Sequence, residues 1–163
     1  MPIPARRPRI AVVGAGSCDE ALSESARRVG RGLAEAGAIV ICGGLGGVME
    51  AAARGAGEAG GMSLGILPGT RPDDGNRYLT LAVATGLGEA RNALVVLNAD
   101  AVIAVGGGYG TLSEIALARK RGIPVVGLGT WRLETAEPLV IEAEGPEEAV
   151  AAALRLAERA GAP

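Results

Sequence analysis

The run Gly106-Gly107-Gly108-Tyr109-Gly110-Thr111-Leu112-Ser113-Glu114 brings together the residue types of an anion site. Glycines at a strand-to-helix turn let backbone N–H groups approach a ligand. The helix start adds unpaired donors and the positive end of its dipole. Such a turn cradles phosphate along Gly107, Gly108, Tyr109, Gly110 and Thr111. Glu114 falls about one turn into the helix, so a carboxylate stands beside the anion. Arg91, near the start of the preceding helical pattern, either pairs with the phosphate or holds Glu114 ionised. A structural ion pair across two helix starts satisfies the same pattern. Tyr109, set between glycines, has a ring that stacks on a planar ligand, or merely packs in the open.

Two further glycine turns accompany it. Gly43-Gly44-Leu45-Gly46-Gly47 has glycine at four of five positions, where a structural turn needs one or two. The excess argues for backbone lying against a ligand, and the Lys-Ser/Thr of a P-loop is missing. Gly14-Ala15-Gly16-Ser17-Cys18-Asp19 is a partial dinucleotide fingerprint. Asp19 stands where the third glycine belongs and would repel a pyrophosphate. The second strand ends in Ile41-Cys42 without the acid that binds a ribose, which argues against an NAD enzyme. Gly16, Ser17 and Asn92 stay on as candidate ligand contacts.

What positions these turns is an alternation of short apolar runs with helical patterns. Strands are expected at 9–13, 38–42, 63–67, 101–105 and 124–128, with shorter ones near 79–83 and 139–141. Helices are expected from Asp19, as cap, to about Ala36, and over 48–59, 87–98 and 111–121. A last helix starts at Pro146. Strands of four to six apolar residues between helices mean a parallel sheet covered on both faces. The fold class is therefore α/β, a single Rossmann-like domain over 1–163 with a loose lead-in at 1–8. Ligands in such sheets bind at the carboxyl ends of the strands, where all three glycine turns fall. The polar loop 69–77 is either a lid or a solvated loop.

Composition narrows the chemistry. The 163 residues suffice to bury about 70% of the unfolded surface. Hydrophobic residues make up 48% and aromatic ones 2%, with no Phe, so the core is packed from Ala, Val, Leu and Ile. There is no histidine, which removes Ser-His-Asp triads and histidine-ligated zinc. No metal and no resident cofactor is expected. Net charge is −2, giving no support for nucleic-acid binding. No stretch is long enough for a membrane span, and residues 1–9 lack the apolar core of a signal peptide, so a cytoplasmic protein is expected. Cys42 reads as a small buried hydrophobe. Cys18 lies before a helix, where a thiol pKa can fall. Trp131, beyond the sixth strand, reads as rim or interface packing.

The second and third turns together resemble the Lonely-guy (LOG) family, whose members long carried a lysine decarboxylase label. The family's PGGxGTxxE motif is matched from Gly106 to Glu114, with Gly106 in place of the proline. Its MHxRK motif falls on Gly88-Glu89-Ala90-Arg91-Asn92, where only the arginine is kept. The resemblance covers about residues 9–130. It implies a Rossmann-like fold, a homo-oligomer (dimer or tetramer) and a phosphorylated small-molecule partner. In LOG enzymes the arginine and glutamate serve hydrolysis of a nucleoside 5′-monophosphate to free base and ribose 5-phosphate. Carried over, the catalytic residues are Arg91 and Glu114. Loss of the lysine and of the MH pair counts against cytokinin-type activity. The Arg91-Asn92 pair and the short chain resemble a sister branch that includes molybdenum-cofactor carriers, which bind a pterin phosphate without turnover. Two expectations therefore stand side by side, a phosphoribohydrolase and a carrier or sensor. Both place phosphate at Gly107 to Thr111. Decarboxylation by pyridoxal phosphate would need a Schiff-base lysine, and Lys120, the one lysine, sits inside Arg-Lys-Arg at a helix end.

Overall fold

The apolar runs are too short for helices and rich in Val, Ile and Ala, so they bury both faces in a sheet. In the computed structural model, which describes residues 6–160, the strands are β1 (Arg9–Gly14), β2 (Ile39–Cys42), β3 (Met62–Leu67), β4 (Leu81–Ala84), β5 (Ala101–Val105), β6 (Val125–Leu128) and β7 (Ile141–Glu142). The helices are α1 (Glu20–Glu35), α2 (Val48–Glu58), α3 (Asn92–Leu97), α4 (Tyr109–Lys120) and α5 (Pro146–Ala160). All strand pairs are parallel, in the order β4-β3-β2-β1-β5-β6-β7. The strand order reverses between β1 and β5, so the chain diverges there and opens a crevice at their carboxyl ends.

Alternate residues of the central strands feed two cores. Ile10, Val12, Val40, Ile103 and Val126 pack under α1, α2 and α5. Ala11, Val13, Ile41, Val102 and Val125 pack under α3 and α4. Without Phe, close approach replaces bulk. A Cβ on Gly30 of α1 would stand 2.0 Å from the Ala52 carbonyl of α2, and one on Gly55 of α2 would stand 1.9 Å from the Arg27 carbonyl. The two helices therefore touch backbone to backbone.

Several expectations are corrected. The helical pattern at 87–98 splits into a 3-10 turn, Gly88–Arg91, followed by α3. The late strand is displaced to Ile141–Glu142 at the sheet edge. Helix α4 starts at Tyr109, two residues before the expected Thr111, so Tyr109 and Gly110 are helical. The lead-in is not loose from Arg6 onward: Arg6 pairs with Asp100, the Arg7 Nε donates to the Gly37 carbonyl at 2.7 Å, and the Pro8 carbonyl accepts from Ile39 N at 2.8 Å. The first five residues of that lead-in lie outside the described residues. Among the described residues no helix is long and apolar enough to cross a membrane.

Candidate functional site

A cleft of about 420 Å³ lies across the carboxyl ends of the strands. The end of β1 and the turn after it supply Gly14, Ala15 and Gly16, the turn after β5 supplies Gly108, and α4 supplies Gly110, Thr111 and Glu114. Leu45 and Met49 follow β2, Pro68 follows β3, and Glu89, Arg91 and Asn92 follow β4. Of the residues singled out in the sequence, Gly16, Arg91, Asn92, Gly108, Gly110, Thr111 and Glu114 line it. Ser17, Gly43, Gly44, Gly46, Gly47, Gly107 and Tyr109 are not part of its wall. Leu45, Met49, Pro68 and Glu89 were not singled out. Their common signal is position, each within a few residues of a strand's carboxyl end.

The helix starts around the cleft differ in what meets their free N–H groups. At α1 the Asp19 carboxylate caps, with Oδ1 accepting from Leu22 N at 2.8 Å. At α2 the Val48 N–H is taken by the Ala15 carbonyl at 3.1 Å. At α4 the cap position is Gly108 and no side chain caps the helix. The Gly108 carbonyl accepts from Leu112 N at 3.0 Å, and among the described residues no acceptor meets the N–H groups of Tyr109, Gly110 and Thr111. This start therefore keeps its donors for something else.

The turn before α4 is held from the far side. The Thr130 hydroxyl donates to the Gly106 carbonyl at 2.5 Å, and the Trp131 Nε1 donates to the Gly108 carbonyl at 3.0 Å. In a planar trans peptide the N–H points opposite to the C=O, so the Tyr109 N–H is turned away from Trp131. The Tyr109 ring is 83% exposed and lies 5.7 Å, centroid to centroid, from the Trp131 indole. Sequence reading left Thr130 and Trp131 outside the site. Gly106 has φ +55°, a conformation closed to proline, whose ring fixes φ near −65°.

Arg91 and Glu114 are both buried, at 8% and 6% exposure. The Arg91 Nη1 donates to the Ile66 carbonyl at 3.1 Å, while its Nε is buried without a partner. Among the described residues Glu114 makes no side-chain hydrogen bond and no ion pair, so a salt bridge to Arg91 is not formed. Burial pushes the Glu114 carboxyl up to about 7, against the pull of the Arg91 charge. Burial likewise lowers Arg91, and Glu114 opposes that shift. The Thr111 hydroxyl is a further buried polar group without a partner. Buried polar atoms are nearly always paired, so the Arg91 Nε and the Thr111 hydroxyl, both unpartnered at one cleft, make it a candidate ligand site.

The turn after β2 is occupied by the protein itself. A Cβ on Gly43 would stand 1.9 Å from the Arg91 Nη1, one on Gly44 would stand 2.4 Å from the Leu67 side chain, and one on Gly47 would stand 2.3 Å from the Ala15 carbonyl. Their glycine excess has an internal cause, the close packing of this turn on Arg91, β3 and the first turn. Loop 69–77 is fastened here too: Asn76 N donates to the Gly44 carbonyl at 2.9 Å and Asn76 Nδ2 to the Leu45 carbonyl at 3.0 Å. Cys42 is fully buried and its thiol is pushed up to about 11. The Cys18 thiol is raised rather than lowered, by burial and by the neighbouring Asp19 charge.

The SLOG cluster4 family model matches residues 7–158. A protein of Archaeoglobus fulgidus is 49% identical over 146 residues, covering 87% of this chain and 91% of its own. Among solved structures, the molybdenum cofactor binding protein of Rippkaea orientalis is similar with a TM-score of 0.86 and 37% identity, over 93% of this chain and 98% of that one. The Moco carrier protein of Chlamydomonas reinhardtii is similar with a TM-score of 0.84 and 38% identity, over 94% and 99% of the two chains.

Proposed function

Since the chain belongs to the SLOG cluster4 family, we propose that it carries a phosphorylated pterin of the molybdenum-cofactor kind, bound in the strand-end cleft and not turned over. The observation that carries this reading is likeness over nearly the whole chain to proteins described as molybdenum cofactor binders and carriers. The site is compatible with it. Phosphate lies at the uncapped start of α4, against Gly108 and Gly110, where N–H donors and the helix dipole favour an anion. The unpartnered Thr111 hydroxyl and Arg91 Nε complete the polar wall. Gly16 faces the same space from the turn after β1.

The second reading, hydrolysis of a nucleoside 5′-monophosphate with Arg91 and Glu114 as catalytic residues, has one observation in its favour. Both side chains are buried in the same cleft, and a carboxyl near 7 suits proton transfer at neutral pH. Kinship with the Lonely-guy enzymes belongs to this part of the proposal and rests on the Gly107–Glu114 motif. One experiment separates the two. The protein is mixed with molybdenum cofactor released from a molybdoenzyme, gel-filtered, and the retained pterin quantified by fluorescence after oxidation. In parallel it is incubated with nucleoside 5′-monophosphates and free base is assayed. Retained pterin with no base release supports the carrier. Base release that disappears in Glu114→Gln replaces it with the hydrolase.

A homo-oligomer is part of the proposal. Leu81 and Val83 of β4 pair in register with Leu64 and Ile66, and so share the sheet face that carries α3. They are 60% and 44% exposed, and Leu97 of α3 is 51% exposed. Apolar side chains left in water on a sheet's open edge favour a second copy. Light scattering on the purified chain tests this, and a monomer mass at micromolar concentration overturns it.

A further inference from the structure

Glu114 poses a problem that phosphate binding does not solve. A carboxylate beside a phosphate repels it, and this one is largely withdrawn from water with no protein donor on it among the described residues. The side chain is 6% exposed and lines the cleft, and no hydrogen bond or ion pair reaches it among the described residues. Glu89, the other carboxylate of the cleft, is exposed, so water serves it already. What relieves a buried carboxylate is a pair of adjacent N–H donors, which meet its two oxygens side by side. Beside it Arg91 offers the opposite polarity, a buried Nε–H in search of an acceptor.

We propose that Glu114 reads the ring of the ligand: its two carboxylate oxygens accept the exocyclic amino and ring N–H donors of an aminopyrimidinone edge. The neighbouring ring carbonyl accepts from the Arg91 Nε, and the ligand's phosphate lies apart at Gly108 and Gly110. This rests on the reading of the cleft as a site for a phosphorylated pterin, and it adds which ring is admitted. Pterin and guanine both carry the edge. Hypoxanthine keeps the ring N–H and carbonyl but lacks the amino group, leaving one carboxylate oxygen unpartnered. Adenine presents a ring nitrogen lone pair where the N–H should be, and that lone pair faces the carboxylate. A site built around a polar edge rejects analogues that lack it, because its own buried groups are left unpaired.

The test is equilibrium binding of neopterin monophosphate, GMP, IMP, AMP and inorganic phosphate to wild type and to Glu114→Gln. Circular dichroism and thermal unfolding show that both are folded. Glu114→Asp, which keeps the charge and shortens the reach, is the second variant. The expected order in wild type is neopterin monophosphate and GMP above IMP, by about 10-fold or more, and IMP above AMP. In Glu114→Gln the GMP-to-IMP ratio falls towards one while phosphate still binds. A pterin phosphate well above GMP identifies the pterin ring system as the source of the edge, and equality identifies the edge alone. If all ligands bind wild type equally, or the ratio survives in Glu114→Gln, the ring assignment is wrong while the phosphate site stands. If none binds, the function itself is wrong and the assignment falls with it.

Discussion

The two glycine-rich turns that follow β2 and β5 look alike in sequence and differ in what surrounds them. After β2, Gly43 and Gly44 are buried, and a Cβ on either would overlap Arg91 or Leu67. After β5, Gly108 and Gly110 are exposed; a Cβ on Gly108 would meet nothing within 4 Å and one on Gly110 would only reach Asn92 at 4.0 Å. Neither of these has a positive φ that would demand glycine. The first turn is glycine-rich because protein is packed against it. The second has two glycines without a folding reason, and both line the cleft. A glycine that the fold does not need is the better evidence for a ligand.

The contrast breaks first in stability. Gly43→Ala forces a methyl group into the Arg91 guanidinium, and Gly47→Ala meets the Ala15 carbonyl at a φ of +62°. Each is expected to cost about 3 kcal/mol or more, lowering Tm by about 10 °C in a thermal melt. Gly108→Ala and Gly110→Ala are expected to leave Tm within about 2 °C and to weaken binding of the pterin phosphate about 10-fold or more. Equal losses of Tm at Gly43 and Gly108 would erase the distinction between the two turns.

The next effect is electrostatic. The Glu114 carboxyl is raised by burial to about 7 in the folded protein, above its unfolded value near 4.3. The folded state therefore holds a proton that the unfolded state releases, and stability falls as pH rises from about 4.5 to 7. The loss is bounded at about 4 kcal/mol. In Glu114→Gln this part of the dependence is absent, so the difference in Tm between pH 5 and pH 8 should shrink. A difference unchanged by the substitution means the carboxyl titrates in its ordinary range.

Much of this was legible in the sequence. Short Val/Ile runs between helical patterns imply a doubly covered parallel sheet, and the strand-to-helix glycines place the cleft. Arg91 and Glu114 were marked by type and position, and both line it. What the chain order hides is contact between distant turns. Nothing local to Gly43 says that a guanidinium from the segment after β4 will lie on it. Asp19 is legible as the cap of α1, but nothing in the chain order says that α4 stays open. Helix α3 was overextended because Gly88–Arg91 keeps helical residue types while its backbone winds as a 3-10 turn.

The smallest expected effect concerns the far side of the ligand turn. Trp131 donates to the Gly108 carbonyl and lies against Tyr109, so it holds the peptide whose N–H points the other way. Trp131→Phe keeps a ring for Tyr109 and deletes one hydrogen bond worth about 1 kcal/mol. The turn after β5 carries two positive-φ glycines, Gly106 and Gly107, and loses a tether that limits its motion. The expected result is a loss of affinity of about 3- to 5-fold for the pterin phosphate, with Tm shifted by no more than about 3 °C. Tryptophan occurs once in the chain, so the same residue reports on the turn. Its fluorescence should change on titration with ligand in wild type, and with inorganic phosphate alone if the anion settles at Gly108. Signals from pterin phosphate but none from phosphate would move the anion off this turn and leave Trp131 reporting on the ring.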